Sequence, residues 1–294
     1  MRGSSLVALL AGSLIFGCGE THVELLAPIV SSAGAGADAA AGANAAAGAN
    51  AAAGSGADVD GGAAGDFGGP PPLTVPHLIH RYSFDGEGTH VLDSIGEAHG
   101  RLESGAVLDG AGHATLDGVD DYVNLPNGLL SGLTNATLIA WVVWNGGPCW
   151  QRVFDFGSTD AGEDQVGNAT SSLFATPKRC PGTGPAVSFT ASNDEFGSVD
   201  SDEPFPVLQV SAIAVVIDAA KAELRLYAAG KSLGTGNAPS LARLSDQNDW
   251  LGRSQWVQDI YLRGTYDEFR IYDAALSDAD LSALESAGPD ALAP

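Results

Sequence analysis

The chain has 294 residues and a formal net charge of −23, from 36 acids against 13 Lys and Arg. That balance argues against a nucleic-acid partner, because binding phosphate needs a basic footprint. It is compatible with a soluble acidic surface and with calcium, whose ligands are carboxylate and carbonyl oxygens; the length permits one or two domains.

At the N-terminus, Arg2 precedes an apolar run from Leu6 to Phe16, followed by Gly17 and Cys18. A positive start, an apolar core and a small residue before the cut form the pattern of a secretory signal. The run is too short for a membrane-spanning helix. With Cys18 directly after Gly17, residues 1–17 resemble a bacterial lipoprotein signal, although Phe16 replaces the small residue more usual there. That resemblance implies export, lipidation of Cys18 and attachment to the bacterial outer membrane or cell surface. An ordinary cleaved signal with a free Cys18 is the alternative.

Residues 18–72 contain a low-complexity tract from about Ser31, in which A-G-A-N-A-A occurs twice between Ala41 and Ala52. Recurring Gly and Asn break helix propagation, and no apolar face exists to dock. The segment reads as a disordered linker, stiffened at its end by Pro70, Pro71 and Pro72, that holds a domain away from a membrane.

Residues 73–287 read as one folded domain, with 288–294 as a tail. Strand candidates recur between Gly, Asp and Asn turns: His80–Phe84, Tyr122–Leu125, Ala136–Val143, Arg152–Phe156, Ser172–Thr176, Val187–Ala191 and Leu224–Ala228. Val210–Ile217 is a nearly continuous apolar run, as for a strand buried on both faces. The acidic stretch at 194–203 carries Gly197 and two serines and reads as a solvated loop. One helix is expected late, with Ser277 as its cap, Asp278 and Asp280 in its first turn, and Leu281 and Leu284 docking it as a lid on the sandwich edge. Many short strands and one helix predict an all-β, two-sheet antiparallel sandwich.

Cys149 and Cys180 flank an expected hairpin. If they oppose each other, Phe154 faces Ala175 and Asp155 faces Phe174, well inside both strands. An exported protein sits where disulfides persist, so a Cys149–Cys180 bridge is expected, against two separate thiols. In the last strand candidate, Gly264–Tyr272, a period of two puts Asp267, Phe269 and Ile271 on the core face and Glu268, Arg270 and Tyr272 on the other. A core-facing Asp267 needs a partner.

Several segments occur in a telling order: H-R-Y-S-F-D-G at 80–86, L-D-S-I-G-E-A-H-G-R-L at 92–102, L-D-G-V-D-D-Y-V-N-L-P at 116–126, then A-T-L-I-A-W-V, W-Q-R-V-F-D-F-G, W-L-G-R-S and Y-D-E-F-R-I-Y-D-A-A-L-S at 266–277. Together they resemble the laminin-G-like, or concanavalin A-like, jelly roll family. V-S-A-I-A-V-V-I-D departs from the Trp and His often preceding the family's long apolar strand. The resemblance implies neighbouring first and last strands with one structural calcium between them. It points at Asp93 and Asp267 as ligands, with Glu97 added less firmly. The alternatives are backbone N–H groups or an Arg as partner of Asp267, and a solvated turn for the loop acids. The histidines at 77–113 lack the spacing of a zinc site.

Such jelly rolls commonly bind sugars or proteins. Trp150, Trp256 and Tyr261 are the candidate ligand contacts, since sugar rings stack on aromatic faces; Trp144 is a further one, and for each Trp the core is the competing destination. The expected function is a noncatalytic envelope recognition or adhesion module, its partner a glycan or an envelope or extracellular protein. A glycoside hydrolase is the alternative, because the fold hosts endoglucanases. Those need two carboxylates across a cleft, and no Glu-x-Asp-x-x-Glu strand is present. A surface scaffold without a small ligand is the third reading.

Overall fold

The computed structural model describes residues 78–192 and 195–291. The signal, the linker and Cys18 lie outside them. In chain order the strands are β1 (Leu78–Tyr82), β2 (Glu87–Gly88), β3 (His90–Val91), β4 (Gly100–Glu103), β5 (Leu108–Asp109), β6 (Ala114–Asp117), β7 (Tyr122–Leu125), β8 (Ala136–Trp144), β9 (Phe154–Thr159), β10 (Ala169–Thr176), β11 (Ala186–Ser192), β12 (Glu195–Asp200), β13 (Val210–Asp218), β14 (Glu223–Ala228), β15 (Lys231–Asn237), β16 (Asn248–Leu251) and β17 (Arg263–Tyr272). The helix α1 spans Asp278–Ala287.

The strands form two antiparallel sheets. One runs β15-β14-β13-β8-β17-β6-β5-β2, with β1 also on β17; the other runs β12-β11-β10-β9-β16-β7-β4-β3. β17 lies against β8 on one side, and its other side is shared by β6 and β1. The first and last strands are therefore adjacent, as the resemblance implied. The inner faces interdigitate in one core that includes Leu138, Val142, Phe154, Phe156, Leu173, Phe189, Phe269 and Ile271. The architecture is the expected jelly-roll sandwich.

Several local predictions meet their physical cause. β13 is buried on both faces: Ile213, Val215 and Ile217 enter the intersheet core, whereas Ala212, Ala214 and Val216 pack beneath α1. The β9–β10 register pairs Phe154 with Ala175 and Asp155 with Phe174. Cys149 and Cys180 are bonded, with Cα atoms 5.8 Å apart. In α1, the Ser277 side chain accepts from Asp280 N and the Asp280 carboxylate accepts from Ser277 N, a capping box. Leu281 and Leu284 are buried, each contributing roughly 1.5–3 kcal/mol.

Three expectations fail. The helix covers the outer face of the nine-stranded sheet, packing on Ile139, Trp141, Val216 and Tyr227 of its central strands, and does not sit at an edge. The acidic stretch is a strand, β12, because its exposed residues Phe196 and Asp200 alternate with buried Gly197 and Val199. Gly197 is required there: a Cβ would lie 1.7 Å from the Asn237 carbonyl oxygen of β15, where the edges of the two sheets meet.

The third concerns Asp267. Tyr266 pairs with Val142 and Glu268 with Trp141, so consecutive residues of β8 oppose residues two apart on β17. Asp267 is the extra residue of a β-bulge. Tyr266 and Phe269 both enter the core, and Asp267 leaves the face assigned by strict alternation. Glu268 and Arg270 do share the opposite face, and that face is buried too. Glu268 takes Arg81 Nε at 2.9 Å and Nη2 at 2.6 Å and also binds Arg270 Nε. Arg270 Nη2 donates to the carbonyls of Pro289 and Ala291, holding the chain after α1 over the sheet.

Candidate functional site

The proposed calcium ligands do not converge. Asp93 is buried, and both carboxylate oxygens are occupied by donors: Oδ1 accepts the N–H groups of Arg81, Ile95 and Gly96, and Oδ2 accepts Ala98 N–H and contacts His80 Nδ1 at 2.6 Å. Burial pushes this carboxyl up, but those hydrogen bonds outweigh it and hold the group below the usual range. The D-S-I-G segment is thus a turn wrapped on a carboxylate, and Gly96 is there because a Cβ would stand 2.6 Å from Asp93 Oδ2. Asp267 Oδ1 lies 3.2 Å from His113 Nε2, and the other ring nitrogen of His113 lies 2.8 Å from Asp109 Oδ2. Burial raises the Asp267 carboxyl and His113 opposes the rise. Glu97 is exposed. Asp93, already saturated by N–H groups, does not fit a calcium ion, which needs six to eight free oxygens. Among the described residues, three carboxylates do approach within 4.8 Å of one another at the β6–β7 turn: Asp117, Asp120 and Asp121.

The aromatic candidates fare differently. On the outer face of the eight-stranded sheet, register places Asn124, Trp250, Asp155, Phe174, Ser188 and Ser198 in one row across β7, β16, β9, β10, β11 and β12. Two tryptophans from separate loops flank this row at Phe174. Trp150 follows the disulfide at Cys149, with φ +67° and its N–H on the Lys178 carbonyl. A non-glycine residue in that left-handed region is held by its surroundings. Trp256 lies in the loop after β16, bridged to Gly167, and its N–H donates to Ser254 Oγ at 3.1 Å. Both indoles stand at 84° to the Phe174 ring, at 6.4 Å for Trp150 and 5.6 Å for Trp256.

Arg152, only 2% exposed, organises the group. Its guanidinium lies 3.9 Å from the Phe174 ring centre, a cation–π contact, and also faces Trp150 and Trp256. Nε donates to Asp155 at 3.2 Å, Nη1 to the Trp150 carbonyl at 2.9 Å and Nη2 to Asp259 at 2.6 Å. Asp155 is the anchor beneath it. Its Oδ2 also accepts the Gln255 N–H at 3.0 Å, while the Gln255 amide donates to the Asp155 and Asn248 carbonyls. Complete burial pushes the Asp155 carboxyl up to about 7, against the pull of Arg152 and the Gln255 N–H. Its Oδ1 is buried without a hydrogen-bond partner.

Two adjoining depressions open here, and Trp150 and Phe174 line both. One, of about 260 Å³, is completed by Arg152, Trp256, Gln258 and Asp259. The other, of about 200 Å³, is completed by Ala186, Val187, Ser188, Phe196, Ser198 and Asp200. A depression of about the same cavity volume as the first lies elsewhere, around Pro204–Pro206 and Lys231, and gathers no aromatic ring besides Phe205.

Structure thus brings Trp150 and Trp256 together and separates Tyr261 from them. Tyr261 stands 6.4 Å from Tyr122, which packs with Trp250 and Arg253 farther along the same face. Trp144 is buried, its indole N–H on Gln151. Sequence reasoning missed Arg152, Phe174 and Phe196. The hairpin register carried a signal for Phe174, since it pairs Phe174 with Asp155 on the face away from Phe154 and Phe156.

Residues 117–282, more than half of the chain, match the laminin-G family model described as the concanavalin A-like lectin/glucanases superfamily. The chain belongs to this family. Among solved structures, this laminin-G-like chain is similar to domain 4 of a GH43 extracellular arabinanase from Geobacillus stearothermophilus, in complex with arabinotriose: 20% identity, 70% of this chain and 97% of that one, TM-score 0.57. It is also similar to the botulinum neurotoxin serotype D ligand binding domain in complex with N-acetylneuraminic acid, at 12% identity over 72% of this chain and 51% of that one, TM-score 0.52. The chain spans only about half of that toxin domain. No curated protein matches it.

Proposed function

We propose that this protein is a noncatalytic carbohydrate-recognition module displayed at the bacterial envelope, held by a lipid on Cys18 and extended by the 18–72 linker. The observation that carries the reading is the meeting of Trp150 and Trp256 with Phe174 on an outward face of the sandwich. Flat aromatic faces beside hydroxyl and amide groups suit sugar rings, whose C–H faces are apolar and whose edges hydrogen-bond. The likeness to an arabinanase domain in complex with arabinotriose supports a glycan, as fold-level analogy.

The site's acids favour binding over hydrolysis. Glycosidases need two carboxyl groups flanking the scissile bond. Asp155 is fully buried under Arg152, and Asp259 is held by Arg152 and by the Ser254 hydroxyl at 3.0 Å. Neither is placed as a free acid or nucleophile, which leaves Asp200 as the one free carboxylate among the lining residues, where hydrolysis needs two.

A glycan array probed with the protein tests the reading. Binding to one glycan class is expected, with Trp150→Ala or Trp256→Ala lowering affinity by about 2 kcal/mol, roughly thirtyfold. Tyr261→Ala is expected to leave it within twofold. A blank array with correctly folded protein would sink the proposal. It would favour a protein-binding scaffold, for which the exposed Val207, Leu208 and Val210 are the best surface.

A further inference from the structure

Charge at the two depressions narrows the ligand, and the narrowing rests on the carbohydrate reading above. The ionisable side chains lining them are Arg152, Asp259 and Asp200. Arg152 is already neutralised, clamped between Asp155 and Asp259 and donating to the Trp150 carbonyl. It presents the flat face of its guanidinium to Phe174, while its hydrogen-bonding edges are spoken for. Asp200 is half-exposed, and its one cationic neighbour, Arg179 at 3.9 Å, is bound more closely to Asp202 at 2.9 Å. No cation is left over among the lining residues, and one acid is in excess. The chain as a whole carries a net −23. An anionic sugar brought here would meet like charge without a partner among the lining residues, which lowers its affinity. What the site does offer is uncharged. The hydroxyls of Ser188 and Ser198 and the amide of Gln258 form no hydrogen bond among the described residues, and Phe196, 59% exposed, adds a further ring.

Size argues in the same direction. At about 260 and 200 Å³, each depression is smaller than the roughly 300 Å³ of an ordinary small-ligand pocket, a size they pass only in combination. Their shared wall of Trp150 and Phe174 puts them side by side, as successive units of a chain would be.

We propose that this face holds an uncharged oligosaccharide across two adjoining subsites, one on each side of the Trp150–Phe174 wall, and turns away glycans bearing a carboxylate. Arg152 serves as a positioning residue that sets the three rings; it is not an anion receptor. Trp256 belongs to the first subsite alone and Phe196 to the second alone.

The test is calorimetry with the full chain. Each glycan hit, or in its absence a panel of neutral di- and trisaccharides, is compared with its uronic-acid- or sialic-acid-bearing counterpart. Neutral chains should bind at least about tenfold tighter than the acidic ones. Asp200→Asn, on an exposed side chain, should narrow that gap severalfold. Trp256→Ala and Phe196→Ala should each weaken a trisaccharide more than a monosaccharide. Acidic glycans binding as tightly as neutral ones, or a gap that Asp200→Asn leaves unchanged, would overturn the inference and leave the carbohydrate reading standing. Failure of every glycan, neutral or acidic, would overturn both.

Discussion

Replacing Asp155 with Asn tests the electrostatic arrangement under the aromatic group. The carboxyl is fully buried and raised to about 7, whereas in the unfolded chain it titrates near the usual value of about 4. Between those limits the folded state binds one proton that the unfolded state does not. Stability contributed by this group is therefore greatest below about pH 4 and is lost as pH rises through 7. From pH 8 to pH 5 the linkage spans about two units of effective titration at about 1.4 kcal/mol each, so the native protein should gain about 2–3 kcal/mol from Asp155 alone. Asn cannot titrate and should remove that gain. It keeps a carbonyl oxygen for the Gln255 N–H, so its own cost is a constant offset of about 1 kcal/mol. Asp249, buried and likewise raised well above its ordinary value, adds a slope of the same sign that the substitution leaves in place. The assay is urea unfolding of both proteins at pH 8 and pH 5, read as a difference of differences. Parallel profiles would refute the reasoning: Arg152 would then outweigh burial, leaving Asp155 ionised throughout.

Asp93→Ala should cost about 2–4 kcal/mol, because it strands N–H donors of a buried turn, and the loss should be the same with calcium or with chelator. Since Asp93 is held below its usual range, its contribution is present above about pH 4 and disappears as pH falls through its lowered value; a loss that is larger with calcium than with chelator would restore the metal reading. Opening the Cys149–Cys180 bridge, which spans 31 residues, should cost about 3–4 kcal/mol by chain entropy. It should also weaken glycan binding in the protein that remains folded, as Trp150 loses its tether; unchanged affinity would detach the bridge from the site. Gly197→Ala should destabilise by at least about 2 kcal/mol, through overpacking against Asn237, and denaturant midpoints decide this.

Where the sequence carried local or pairwise information, it could be read. The cysteine spacing fixed the β9–β10 register because two covalent partners align two strands. Ser277 and Asp280 announced the start of α1 through the orphan N–H groups they satisfy. The bulge at Asp267 left no such trace. It inserts one residue without a glycine, and period-two counting has no way to see an extra residue until the partner strand is known. The same limit hid β12: Gly197 reads as a turn residue in one dimension and as a point of close approach in three. Trp150 and Trp256 were visible as loop aromatics, but they lie 106 positions apart in the chain, and their meeting over Phe174 and Arg152 is a property of the sheet. Tyr261, with the same local signature, went to another aromatic group.

The two outer faces of the sandwich have divided the work. On the nine-stranded sheet, α1 and the residues after it cover the central strands, and the Arg81–Glu268–Arg270 network holds that cover down through the carbonyls of Pro289 and Ala291. A buried charge network of this kind contributes little net stability, but removing one partner is expensive, so the cover is fixed in one place. On the eight-stranded sheet, the Trp150, Phe174 and Trp256 group opens onto two depressions instead. Buried polar atoms without hydrogen-bond partners occur on both faces, Trp141 Nε1 and Arg225 Nε on the first and Asp155 Oδ1, Ser172 Oγ and Trp250 Nε1 on the second. Asp155 is the one that bears on the rings. Burial raises its carboxyl, yet that carboxylate accepts from Arg152 and from the Gln255 N–H, and through them ties the loops that carry both tryptophans. Strain kept at that position is intelligible if the arrangement of the rings, and not the stability of the sheet, is what the position serves.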